Sequence, residues 1–145
     1  MIDDLRQHFG VTLDLPAAAV DWLIDIWRLI QMLDDIADGD AVSRDDLNAG
    51  IWASLVTMPA NPFYLANAAA LQAGLAQMVL KWQASDDAER QGKADARSFV
   101  WRAGYYDLVL LVVLLTKGHA GAMKDAMTVM HLYGETLHEY LKEFA

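Results

Sequence analysis

The 145-residue chain has no cysteine, and proline and glycine are sparse at 3 and 9 residues. The first absence removes disulfides, zinc–thiolate centres and cysteine nucleophiles together. The second leaves few points at which a helix must stop. Basic residues are also scarce, 11 against 20 acidic ones, for a net charge of −9 and a pI near 4.6. That deficit excludes a general nucleic-acid binder, because neutralising phosphates needs an excess of Lys and Arg. An anionic membrane surface would repel the chain as well.

Long apolar runs are missing too. The longest spans Leu108 to Leu115, and extending it back to Phe99 brings in Arg102 and Asp107. A bilayer needs about 20 apolar residues in helical form, so no transmembrane span is expected. The start, MIDDLRQHFG, is acidic where a secretory signal would be basic and then apolar, which makes the cytoplasm the expected location. A Gly-rich phosphate loop, GxSxG and HExxH are all absent.

What is present is a surplus of helix formers in a composition that is 55% hydrophobic. The expected fold is all-α, one domain over residues 1–145, a bundle of four to five helices. Asp14 followed by Leu15-Pro16 predicts a helix from about Pro16 to Asp38, with Gly39 at its end. On it Asp21, Asp25, Arg28, Gln31 and Asp35 share a polar stripe, and apolar residues fill most of the remaining circumference. Ser43 with Asp46 opens a second helix, Arg44 to Thr57, which Pro59 stops. Asn61-Pro62 opens a third, to about residue 83, and the polar SDDAERQGK separates it from a fourth. That fourth helix, about 94–117, is apolar nearly all round and should be central, with Gly118 as its cap. The last, about 120–144, is expected to turn Ala126, Met127, Met130, Tyr133, Leu137, Tyr140, Leu141 and Phe144 inward and Lys124, Thr128, His131, Glu135, His138 and Lys142 outward.

Two clusters carry chemical suggestions. Asp34, Asp35 and Asp38 crowd a helix C-terminus, the negative end of the macrodipole, where each acid costs typically about 0.3–1 kcal/mol. Helix stability does not explain them, and carboxylates so spaced suit Mg²⁺, which prefers oxygen ligands. The segment Asp34-Asp35-Ile36-Ala37-Asp38 has a DDxxD spelling that resembles the first aspartate-rich motif of helical isoprenoid synthases. That resemblance implies magnesium and a diphosphate; it covers five residues, and the second acidic motif of those enzymes is absent. The other cluster is basic, Arg90, Lys93, Arg97 and Arg102, of which Arg97 and Arg102 would hold phosphate. Glu135-x-x-His138 has the spacing of di-iron bundles but lacks their second pair. Asp107, alone in the most apolar stretch, needs a partner such as Arg28 or Arg102.

Two functional readings follow. The first is a self-associating interaction module, a homo-oligomer and most simply a dimer, that needs no cofactor. Its basis is apolar surface beyond what one small core can use, with 5 Trp and 7 Met among it. The second is a Mg²⁺-dependent enzyme acting on a small phosphorylated ligand, a diphosphate or nucleoside triphosphate, through Asp34, Asp35 and Asp38.

Overall fold

A computed structural model describes residues 2–145, and all regular structure in them is helical. The chain gathers into two compact units, Met1–Ala68 and Ala69–Ala145.

In the first unit, α1 (Ile2–Gln7) widens into a π-helical turn, His8–Thr12, closed by Leu13 N–H donating to His8 O at 2.9 Å. Gly10 lies inside that turn. Val11-Thr12-Leu13 delivers Leu13 to the core, where it and Phe9 are fully buried. Asp14 takes a left-handed φ of 50° and does not cap the next helix. The N-cap of α2 (Ala17–Asp38) is Pro16, and no side chain bonds there.

The N-terminal half of α2 forms the core, with Ala19, Val20, Trp22, Leu23, Ile24 and Ile26 buried. Its C-terminal half is much more open, and Leu33 and Ile36 reach solvent. Gly39, at φ 78°, ends it, and the bonds Gly39 N–H to Ile36 O and Asp40 N–H to Asp35 O form a Schellman motif. Ser43 then caps α3 (Arg44–Trp52), accepting from Asp46 N–H at 3.0 Å as its spelling predicts.

Pro59 does not stop this helix. The bonding widens to a π turn over Ala53–Thr57 just ahead of it, and a last turn, α4 (Met58–Ala60), follows. The wider register accommodates a residue that has no N–H to give to the carbonyl four back. The stop comes at Asn61, whose ψ of 129° is what a following proline demands. Asn61 is buried and does two jobs. Its Oδ1 accepts from Phe63 and Tyr64 N–H, capping α5 (Pro62–Ala66), and its Nδ2 donates to Ala18 O at 2.9 Å, tying that cap to α2. Tyr64 stacks near Trp22 across the same junction, at 6.0 Å between centroids.

In the second unit, α6 (Ala68–Arg90) runs through the expected polar break. Arg90 bonds Asp86 at 3.1 Å and Asp87 at 2.9 Å, one turn back, so the charges extend the helix. The stretch read as one central helix is two pieces, α7 (Ala96–Arg102) and the start of α8 (Tyr105–Met130), separated at Ala103-Gly104. Within α8, Gly118 adopts φ 74° and ψ −173°, which divides it. By length and composition α8 could cross a membrane. Its two straight parts, 105–117 and 119–130, reach only about 20 and 18 Å at 1.5 Å a residue, against about 30 Å of hydrocarbon.

Before Gly118, one face of α8 is buried: Tyr105, Leu108, Val109, Val112 and Val113, while Leu114 is exposed. Gly74 lets α6 come close, since a Cβ there would lie 2.6 Å from the Leu111 side chain. The chain leaves helical form after Met130 and re-enters it at α9 (Leu137–Glu143) through a Thr136–Glu139 capping box. Of the residues expected inward, Tyr140 is buried and Ala126, Tyr133 and Phe144 are half-buried, whereas Met127 and Met130 ahead of the break and Leu137 and Leu141 beyond it are exposed.

Replacing Asn61 by Ala removes both bonds to α5 and leaves Ala18 O without its donor. The expected loss is about 1–3 kcal/mol in chemical denaturation. Asn61→Asp, which keeps the cap acceptor and loses the donor to Ala18, should fall between wild type and Asn61→Ala.

Candidate functional site

The sequence-derived acidic cluster sits where α2 ends. Asp35 and Asp38 are exposed and Asp34 is partly so. Asp35, unlike Asp34 and Asp38, lines a groove of about 460 Å³ between α2 and α3, bordered also by Asp25, Arg28 and Asp46 and floored by apolar side chains such as Trp27, Leu29 and Met32. The stripe read as the wet edge of α2 thus borders a groove, because α3 folds back beside it. Asp21, higher on that stripe, pairs with Arg6 at 3.0 Å. Burial pushes the Asp25 carboxyl above its ordinary value, and the nearby Arg28 offsets part of that. Among the described residues, no three His, Asp or Glu side chains gather in a way that could hold a metal ion.

The two arginines assigned to phosphate lie in the second unit and are engaged. Arg97 Nη2 bonds Asp95 Oδ2 at 2.7 Å; Asp95 is the N-cap of α7, and these bonds lower its carboxyl below the usual range. Arg102 reaches Glu89 Oε2 at 3.2 Å and lies over the rings of Tyr140 and Phe144 at 5.5 and 5.9 Å. Asp107 pairs with Lys81 at 2.5 Å, not with an arginine, and at 60% side-chain exposure it is not the buried acid its sequence context suggested. His131 and Glu135 fall outside any helix, so the helical stripe they would form with His138 does not exist. Glu135 instead accepts from the Tyr133 hydroxyl at 2.8 Å.

A polar network that the sequence reading missed lies around Tyr140. Its hydroxyl donates to Glu89 Oε2 at 2.7 Å and meets Ser98 Oγ at 2.6 Å, with the ring fully buried. Each hydroxyl has one proton, so a consistent chain runs from Ser98 to Tyr140 to the Glu89 carboxylate, which Arg102 neutralises. Burial raises the Glu89 carboxyl and lifts the Tyr140 phenol to about 12, leaving the phenol a neutral donor. Phe99, Tyr133 and Phe144 pack around it, with Phe99–Tyr140 and Tyr140–Phe144 centroids 5.4 and 5.0 Å apart. The capping spellings Asp95-x-x-Ser98 and Thr136-x-x-Glu139 were the available clues to the local turns. The contact across 51 positions had none.

A third feature is an apolar groove in the second unit. Two adjoining cavities of about 390 and 320 Å³ share Asp107, Leu110 and Ala126 and run between the two halves of α8 and past α7. Met123 and Met130 line it, and Met127 stands out beside them; these three are 68%, 65% and 67% exposed.

No family model, curated protein or solved structure matches the chain.

The Glu89 carboxyl is raised on folding, so its contribution to stability is fully present below its unfolded value, near 4.5, and is lost as pH rises through the folded value. Glu89→Gln lacks this titration. The melting temperature of wild type minus that of Glu89→Gln should therefore fall as pH rises from acid to neutral; a flat difference in paired thermal melts would refute the assignment.

Proposed function

We propose that the protein is a helical interaction module that associates with itself, most simply as a twofold dimer, through the apolar groove and methionine face of its second unit. The observation that carries this reading is the exposure of Met123, Met127 and Met130 beside that groove, with Leu114, Val100 and Trp101 also open to solvent. Apolar patches of this kind are rimmed and contiguous in interfaces and scattered elsewhere. Methionine suits such a face, because its flexible thioether adapts to an irregular partner surface.

Charge supports the choice of unit. Residues 69–145 hold 9 acidic and 8 basic residues, so two copies of this part meet with almost no net repulsion. Asp107 and Lys81 at the groove edge already neutralise one another. The magnesium reading has Asp35 in a groove to support it, and both arginines it would use for phosphate are held by carboxylates, Arg97 by Asp95 and Arg102 by Glu89. We therefore place it second.

Sedimentation velocity across micromolar concentrations is expected to show a reversible dimer. Met123→Glu with Met127→Glu should shift the equilibrium to monomer while leaving the melting temperature of the monomer within a few degrees, since both side chains are exposed. A wild-type chain that sediments as a monomer throughout would defeat the proposal.

A further inference from the structure

Charge is divided unevenly along the chain. Residues 1–68 carry 11 of the 20 acidic residues, all aspartates, and only 3 of the 11 basic ones, a net of −8, whereas residues 69–145 carry −1. The groove between α2 and α3 opens in the acidic unit, with Asp25, Asp35 and Asp46 along it and, among the described residues, Arg28 as its one cationic side chain. Its floor is apolar, and Trp52, which lines it, is 64% exposed. Ile51, Leu55 and Val56 extend the open apolar surface along the same helical run.

We infer that this groove docks a cationic amphipathic helix of another protein. The floor calls for a row of apolar side chains at helical spacing, the helix-in-groove mode of recognition, with indole rings as anchors. The aspartate rim calls for Lys or Arg on the flanks of that row and rejects an acidic helix by like-charge repulsion. A second copy of this chain is a poor occupant, because the groove would face another surface of the same −8 unit or the nearly neutral one, neither of which supplies an excess of cations. Metal binding is not needed to explain the acids: here they set the sign of the partner.

The test is fluorescence anisotropy of labelled synthetic helices titrated with the full chain. One peptide is a Leu/Lys amphipathic helix, and the other has the same leucines with Glu in place of Lys. The Leu/Lys peptide is expected to bind and to weaken with added salt, and the Leu/Glu peptide is expected not to bind. Asp35→Asn with Asp46→Asn should weaken binding about tenfold. Ala49→Arg, which sets a cation in the groove from an exposed helical position, should abolish it. Asp14→Asn with Asp38→Asn removes equal charge from the same unit at two positions that do not line the groove and should change affinity less than about twofold. Circular dichroism checks that each variant folds. Equal weakening by the two double variants, insensitivity to Ala49→Arg, binding of the Leu/Glu peptide, or binding of neither peptide overturns the inference.

Discussion

A helix packed against one neighbour buries one face, and this chain carries apolar residues on more than one face of its longest helices. The consequences run through both units. α2 meets α1, the π turn His8–Thr12, α3, the π turn Ala53–Thr57 and α5; its first half is buried on most sides, and its second half leaves Leu33 and Ile36 in water. In α8 the face toward Gly74 of α6 is dry, and Leu114, Met123, Met127 and Met130 are not. Backbone breaks at Gly104 and Gly118 interrupt helices that could otherwise have continued, and so help decide which apolar residues of the second unit are left uncovered.

Polar groups fix the places where the helices meet. Asn61 joins a cap to the carbonyl of Ala18 in the first unit, and Tyr140 joins Ser98 to Glu89 in the second. Both are buried, and no buried side-chain nitrogen or oxygen among the described residues lacks a partner. That matters more than the number of bonds, because an unmet buried donor or acceptor costs about 1–3 kcal/mol, while a made one returns about 1 kcal/mol net. The exposed pairs, Arg6–Asp21 and Arg90 with Asp86 and Asp87, each add at most about 1 kcal/mol.

Local signals in the sequence located several boundaries well. Ser43, Gly39 and Asn61-Pro62 act where they were read, because a cap depends on residues within one turn. The errors arose where a neighbour in space overrides the local pattern. SDDAERQGK reads as a loop by composition, yet its acids sit one turn from Arg90 and prolong α6. The face of residues 120–144 was taken from one continuous wheel; the break after Met130 invalidates the phase beyond it and leaves Leu137 and Leu141 exposed, while Met127 and Met130, ahead of the break, lie off the buried side that Ala122 and Val129 mark. Asp107 was given Arg28 or Arg102 because a carboxylate in so apolar a stretch needs a cation, and the cation that α6 brings is Lys81. Of the acidic cluster, the crowding of carboxylates was legible; that Asp35 and Asp25 would border a groove required knowing where α3 lies.

The proposed function has the second unit associate through methionines that its own core leaves uncovered. Methionine ε-methyl NMR tests it most directly, since the seven methionines report separately on core and surface. The account predicts that the signals of Met123, Met127 and Met130 shift together as protein concentration rises, while those of buried Met58 and Met78 stay in place. Concentration-independent positions for all three, or shifts confined to Met58 and Met78, would contradict it.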